Sequence, residues 1–287
     1  MTVIKKHPIV SSIAGALFIF GVVVWITGGF DASPFGIRIV VERANHPFAY
    51  MLWVLLFGMI FSKDRLGFTD ICSRIGSKKP SSVIPILVAA IVIFELCHFI
   101  APEANLFWNL DSESGLATYY HSFLLFANGV CILSIFDRER STEKKGAFWW
   151  TPILILFWGL SIDELVGFHN GVPRYLQKIG LYEGSIGNGI PEWPILLAPV
   201  AIAVVIYFLI FIWKRFRGKG YLIALCFTAV AIWVLAYSAE MLLATSLNHQ
   251  IQVGLEEGAE LLGTSLMLIV FLFFSQKKPP FKVEYLE

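Results

Sequence analysis

Long apolar runs alternate with short polar connections along the whole chain. Each run is close to the ~20 residues that a helix needs to cross the hydrocarbon core of a bilayer. The runs lack the period-two alternation of barrel strands, so they predict membrane helices. Eight spans are predicted: Ile9–Gly29, Asn45–Phe61, Val83–Ala101, Thr118–Phe136, Phe148–Phe168, Trp193–Trp213, Tyr221–Thr245 and Leu255–Phe274. The predicted fold is an all-α, polytopic transmembrane bundle of about eight helices, a single domain over residues 1–287.

Composition agrees with this prediction. Of the 287 residues, 57% are hydrophobic and 15% are charged, whereas a soluble domain is near a quarter charged. The four cysteines are scattered without a CxxC pair, so neither a disulfide framework nor a zinc ribbon is indicated. The chain has no basic stripe, and nucleic acid is not an expected partner.

The distribution of Lys and Arg predicts the orientation. Eighteen of the 22 lie at the two ends of the chain and in the second, fourth and sixth connections. The other connections hold only Arg38, Arg43, Arg174 and Lys178. Because positive charges concentrate on the cytoplasmic side, both termini are predicted to be cytoplasmic. The longest outer connection, from His169 to Glu192, is expected to hold a short interfacial helix within Val172–Tyr182.

Ionisable residues inside the spans need a reason, because a charge in the membrane is costly. With the predicted orientation they gather at the outer ends of the third, fourth, fifth, seventh and eighth spans, and His169 directly follows the fifth span: Glu95, His98, His121, Asp163, Glu164, Glu240, Glu256, Glu257 and Glu260. The eight spans contain neither Lys nor Arg. The negative charge of these acids is therefore expected to be compensated by a metal ion, by shared protons or by a cationic ligand.

Spacing favours the metal ion. Glu95 and His98 are three residues apart and share a helix face, as do Glu257 and Glu260. A Glu-x-x-His pair that projects into a bundle is a ligand pattern of di-iron and di-manganese sites. Carboxylates with imidazoles suit Fe, Mn or Zn better than Cu(I). The predicted ligands, to be used in part, are Glu95, His98, Glu164, His169, Glu240, Glu257 and Glu260, with Glu164 and Glu240 as candidate catalytic residues.

Structural explanations exist for several of these residues. An intramembrane histidine is often a hydrogen-bonded staple between helices, and an interfacial position would explain His121 and His249. Glu256 and Glu257 are predicted near a helix N-terminus, where acids complement the helix dipole. Asp163 and Glu164 are about 100° apart on a helix, so they are not expected to point at one centre.

The segments "DELVGFHN" and "EEGAELLG", with the single Glu240 between them, resemble an uncharacterised group of bacterial polytopic membrane proteins. That group shares a D-E-x4-H and an E-E-x2-E-L-x-G segment, and the likeness covers roughly the carboxy-terminal half. The resemblance implies a site at Glu164, His169, Glu240, Glu257 and Glu260 in a bacterial inner membrane, without implying a reaction. A second acid often follows the histidine in that group, whereas Asn170 stands here.

The leading hypothesis is a metal-dependent membrane enzyme, a hydrolase or a di-iron oxidoreductase, that acts on an amphiphilic or lipid substrate. The first alternative is a proton- or ion-coupled transporter that uses the same acids. Polar residues in the inner halves and Gly/Pro-broken helix pairs would favour that alternative, and the sequence shows neither. The second alternative is an accessory subunit of a larger membrane complex.

Overall fold

The structure is a computed structural model that describes residues 8–27, 30–32, 39–41, 45–61, 80–100, 108–110, 115–142, 146–180, 192–243 and 248–275. Nine α-helices occupy most of these residues: α1 (Pro8–Thr27), α2 (Asn45–Phe61), α3 (Pro80–Ile100), α4 (Leu116–Ser141), α5 (Trp150–Val166), α6 (Phe168–Lys178), α7 (Glu192–Arg215), α8 (Gly220–Leu243) and α9 (His249–Ser275). A single 3-10 turn, Ala147–Trp149, precedes α5. Two three-residue strands, β1 (Phe30–Ala32) and β2 (Ile39–Val41), pair antiparallel between α1 and α2.

The predicted all-α class is confirmed, and each predicted span overlaps one of the helices α1 to α5 and α7 to α9. The predicted ends at Gly29, Ala101 and Thr245 lie outside the described residues. The helix expected at Val172–Tyr182 is α6, which begins four residues earlier, at Phe168; Tyr182 is not among the described residues. The eighth span is longer than predicted, because α9 begins at His249.

Six segments of the described chain are long and apolar enough to cross a membrane: Ser82–Ile100, Leu116–Ser141, Ala147–Val166, Leu196–Arg215, Gly220–Ala239 and His249–Ser275. They indicate a membrane-spanning protein. Within α1 a shorter stretch, Ile9–Val24, is apolar, and α2 has 17 residues. The predicted cytoplasmic position of both termini is not tested by these helices and stays a prediction.

Helices α4 and α9 form the centre of the bundle. Over the 18 most apolar consecutive residues of each helix, 78% are buried in α4 and 67% in α9, against 11% in α7. Helix α9 packs on α8, α4 and α3, and α4 also packs on α5. The buried polar groups on these two helices cannot reach water, so each of them needs a partner within the protein.

One end of the bundle is closed by aromatic and charged side chains. The Trp150 ring meets the rings of Phe271 and Phe274, and its Nε1 donates to Oε2 of Glu139 at 2.7 Å. Arg215 also binds this buried carboxylate. Glu139 lies 18 residues along α4 from His121, which corresponds to ~27 Å. The two polar regions of α4 are therefore at opposite ends of the membrane segment.

Candidate metal centre

His121 lies on the buried face of α4. Ala117, His121, Leu124 and Asn128 follow one another at helical spacing and are all buried. Asn128 Nδ2 donates to the carbonyl of Leu124 at 2.9 Å and to the carbonyl of Thr264 at 3.2 Å. The second bond fixes α4 against α9 two turns beyond His121.

A pair of reciprocal hydrogen bonds fixes α4 against α5. Ser122 Oγ donates to the carbonyl of Ser161 at 2.7 Å, and Ser161 Oγ donates to the carbonyl of Ser122 at 2.8 Å. All four atoms are buried, so these bonds compete little with water. They lie one residue from His121 and three residues from Glu164, and they set the distance between those two side chains.

Three side chains from three helices converge beside these bonds. His121 Nδ1 lies 3.2 Å from Glu164 Oε1 and 3.6 Å from Glu260 Oε2. One ligand atom from each side chain lies within 4.8 Å of the others. The exposed fractions of the three side chains are 6% for His121, 21% for Glu164 and 35% for Glu260. This group can hold a metal ion, and it is named the His121 triad below.

The far side of the imidazole is fixed by Thr264. His121 Nε2 lies 2.9 Å from Thr264 Oγ1, which also accepts from Trp233 Nε1 at 3.2 Å. The indole nitrogen can only donate, so it occupies one lone pair of the hydroxyl oxygen. The second lone pair can accept Nε2–H, and the Nδ1 lone pair then faces the two carboxylates. Metal-binding histidines usually have such a partner on their other nitrogen.

The donor set and its spacing fit a divalent ion. The Nδ1 atom of His121 is buried, and no group in the described part of the chain meets hydrogen-bond geometry with it, although Glu164 is near. Ligand bonds of about 2.0–2.2 Å around a tetrahedral ion place neighbouring ligand atoms roughly 3.3–3.6 Å apart. The two distances from Nδ1 are of this size. One imidazole with two carboxylates suits Zn, Fe or Mn.

Asp163 and Glu164 have different partners, as the sequence predicted. Asp163 Oδ2 lies 2.8 Å from Nδ1 of His169, and its Oδ1 accepts the His169 backbone N–H at 3.0 Å. The chain turns between them at Gly167, whose φ of +65° is a left-handed conformation. His169 is thus held at the start of α6, while Glu164 remains directed at His121.

His98 is placed as a staple between helices. Its Nε2 lies 3.0 Å from the carbonyl oxygen of Gln250, and its Nδ1 accepts the Leu110 backbone N–H at 3.4 Å. Gln250 Nε2 in turn donates a hydrogen bond to the His98 carbonyl at 3.1 Å. Both ring nitrogens are therefore engaged with backbone groups, which is the structural alternative stated for the intramembrane histidines.

Glu95 lies on the seam between α3 and α9. A Cβ atom added at Gly258 would overlap Glu95 Oε1, and one added at Gly254 would lie 3.2 Å from Oε2. The absence of side chains at these two positions of α9 makes room for the carboxyl group. Oε1 is buried and has no hydrogen-bond partner among the described residues. Glu95 does not belong to the His121 triad.

The remaining predicted ligands are Glu240 and Glu257. The side chain of Glu240 lies outside the described residues. Glu256 and Glu257 are half-buried on α9 and are engaged in interactions, outside the triad. Because α9 begins at His249, these two acids lie beyond its first turn. The expectation that they sit at a helix N-terminus is therefore wrong.

Of the seven predicted ligands, the structure brings Glu164 and Glu260 together and adds His121, which the prediction left out. Thr264 and Trp233 were also missed. The sequence signal that could have identified His121 is its spacing from Asn128, which lies seven residues further on the same face of an apolar helix. Two polar side chains at that spacing indicate a face that packs against a polar partner.

A family comparison covers all of this region. Residues 81–275 match the family described as a domain of unknown function, DUF8692. The match extends over more than half of the chain, from the first turn of α3 to the last residue of α9. The chain belongs to the DUF8692 family. All three residues of the His121 triad lie within the DUF8692 segment, and α1, α2 and the strands lie outside it. No curated protein and no solved structure matches the chain.

The family description agrees with the predicted resemblance to an uncharacterised group and assigns no activity. The bacterial origin and the two sequence segments on which the resemblance was based are not tested by it.

Proposed function

We propose that this chain is a metal-dependent enzyme of the bacterial inner membrane that holds one divalent ion, Fe, Mn or Zn, between His121, Glu164 and Glu260. The observation that carries the proposal is the Nδ1 atom of His121. It is buried and lies 3.2 and 3.6 Å from two carboxylate oxygens, and among the described residues no group meets hydrogen-bond geometry with it. One imidazole nitrogen therefore faces two carboxylates at once, as in a metal site with these three ligands.

The charge of the group supports a cation. Among the described side chains, His121 lies within 4 Å of both Glu164 and Glu260, and His169 adds a weaker attraction for Glu260. Two carboxylates near one imidazole within a membrane segment would otherwise repel each other at low dielectric. A divalent ion between the three side chains would compensate both acids.

The number of protein ligands supports an enzyme. Structural zinc sites have four protein ligands, whereas catalytic sites have three and keep a further position for water or substrate. A divalent ion supplies Lewis-acid chemistry to such a water or substrate. Here Glu164 and Glu260 remain partly exposed while His121 is buried. The ligand set is therefore anchored from the imidazole side and accessible from the carboxylate side.

A lipid or another amphiphile is the substrate class that suits this position. Each triad residue belongs to a helix that is long and apolar enough to cross a membrane. Glu164 is two residues from the end of α5, so the group lies near the end of that segment. A molecule that approaches from the interface can reach this depth without crossing the bilayer.

The transporter alternative receives less support. Along α4, Asn128 is the last buried polar residue on the side of the triad, and the next buried polar residue is Glu139. The buried α4 residues between them are apolar, and the rings of Phe157 and Phe271 meet on neighbouring helices. The described residues thus offer polar groups at both ends of the bundle and an apolar section between them.

Metal analysis of the purified protein tests the proposal. Wild type is expected to contain about one Fe, Mn or Zn per chain, and His121→Ala, Glu164→Gln and Glu260→Gln are each expected to lose it. Glu256→Gln, one turn before Glu260 on α9, is the matched control and should retain the metal. Wild type without stoichiometric metal at neutral pH, or full metal in all three triad variants, would refute the site.

The enzymatic part needs a separate assay. Metal-free and metal-restored protein should be incubated with phospholipid and lysophospholipid in mixed micelles, and the products identified by mass spectrometry. Conversion only by the restored protein, and not by restored Glu164→Gln, supports the enzyme. Ion flux into liposomes that is lost in Glu164→Gln, without any lipid conversion, would favour the transporter instead.

A further inference from the structure

Helix α6 carries an apolar stripe that the described part of the protein leaves largely exposed. Phe168, Val172, Tyr175 and Ile179 follow one another at intervals of four, three and four residues, so they share one face of the helix. Phe168 is 57% exposed, Tyr175 is 63% exposed, and Ile179, the residue after the last turn, is 47% exposed. Val172 is half-buried.

The other faces of α6 have different surroundings. One face is held by the protein, because Pro173 is buried and His169 binds Asp163 at the end of α5. Gln177 and Lys178, in the last turn, are exposed and polar. The described residues leave the apolar stripe exposed, and water does not favour apolar side chains, so the stripe needs a third environment.

That third environment adjoins the lipid-facing surface of the bundle. Helix α6 directly follows the membrane segment that ends with α5, and it packs against α7. On these two helices Ile155, Val200 and Ile206 are strongly exposed, as expected for side chains that face lipid. The 11 residues of α6 span only ~16 Å, too short to cross a bilayer.

We propose that α6 lies in the interfacial layer of the bilayer, parallel to its surface, with Phe168, Val172, Tyr175 and Ile179 at the boundary of headgroups and acyl chains. The occupant of the stripe is lipid. Amphipathic helices with aromatic and aliphatic residues on one face and Lys on another bind at this depth. Gln177 and Lys178 then face water.

This position connects the membrane surface with the His121 triad. The two hydrogen-bond contacts between His169 and Asp163 join the first turn of α6 to the residue that precedes Glu164. With its apolar stripe in the interface, α6 therefore holds the last turn of α5, and with it Glu164, at a constant depth below the headgroups.

Spin labels test the placement of α6 without reference to any metal. The four native cysteines are replaced by alanine, and Phe168→Cys, Tyr175→Cys and Gln177→Cys are labelled singly. The protein is then reconstituted in vesicles of phosphatidylcholine and phosphatidylglycerol. Retention of fold is checked by circular dichroism. Collisions with oxygen, which concentrates in lipid, and with a water-soluble nickel chelate are measured for each label.

Labels at positions 168 and 175 are expected to collide several-fold more with oxygen than with the chelate, and the label at position 177 should show the opposite ratio. The depths of labels 168 and 175 should agree, because a helix along the membrane normal would separate them by ~10 Å. Equal ratios at positions 175 and 177 would overturn the proposal. Shielding of position 175 from both reagents would also overturn it and would indicate a protein partner.

Discussion

The Nδ1 atom of His121 lies 3.2 Å from Oε1 of Glu164 without forming a hydrogen bond of acceptable geometry. The two residues are on different helices, α4 and α5, and the reciprocal bonds between Ser122 and Ser161 hold those helices together. Helix packing therefore helps to hold the two side chains at this short distance. A third atom between the two groups would complete the arrangement, and this is the basis of the proposed metal centre.

Thr264 is expected to control the affinity of the site. Thr264→Val removes the partner of His121 Nε2 and should weaken metal binding 10- to 100-fold, the usual effect of removing a hydrogen bond behind a ligand histidine. Isothermal titration with Zn²⁺ or Mn²⁺ gives the dissociation constant. Ser265→Ala is the matched control, because the buried Ser265 hydroxyl has no hydrogen-bond partner among the residues that the structure describes. Equal affinities of Thr264→Val and wild type would exclude a role for Thr264.

His98 is expected to act on stability and not on metal content. His98→Ala leaves the buried backbone N–H of Leu110 without its partner, at a cost of about 1–3 kcal/mol, and it removes the part-buried contact with the Gln250 carbonyl. Thermal unfolding in detergent should show the loss, and elemental analysis should show an unchanged metal content. A stable but metal-free His98→Ala protein would return His98 to the ligand set.

Several features of the fold could be predicted because lipid leaves the backbone few choices. Every apolar run of about 20 residues must become a helix to satisfy its own hydrogen bonds. The ends were less predictable, as α9 shows by starting at His249, within a polar stretch. That start explains why the dipole argument for Glu256 and Glu257 does not hold.

The site was predictable in part, for a physical reason. The cost of burying a charge identifies Glu164 and Glu260 from sequence alone. The direction in which each helix faces depends on tertiary packing, which spacing does not give. Glu95 and His98 share a helix face, yet that face meets Gly258 and the backbone of Gln250, where they pack instead of joining the triad.

Gly258 is expected to be required for the packing of α3 on α9. In Gly258→Ala the added methyl group would overlap the carboxyl group of Glu95, so the variant should lose about 1–3 kcal/mol of stability. The double variant Gly258→Ala/Glu95→Ala should recover part of this loss, since the overlap is removed. Gly159→Ala on α5, where a Cβ meets nothing within 4 Å, is the control. Equal unfolding temperatures of Gly258→Ala and Gly159→Ala would contradict the close approach.

The ion pair at the far end of the bundle is expected to be structural. Glu139→Gln leaves Arg215 without its carboxylate, and breaking a buried pair costs roughly 3–5 kcal/mol. The lower end of that range is expected, because Arg215 is 20% exposed. Chemical unfolding measures the effect, and Arg217→Gln at an exposed position is the control. Metal content should not change in either variant, since His121 is ~27 Å away.

X-ray diffraction at the absorption edge of the bound metal tests the central claim most directly. Crystals of the purified protein, grown with the metal identified by elemental analysis, should give an anomalous peak about 2.0–2.2 Å from His121 Nδ1 and from one carboxylate oxygen each of Glu164 and Glu260. The peak should be absent in Glu260→Gln crystals. A peak beside Glu95 and His98, or none near His121, would contradict the proposed centre.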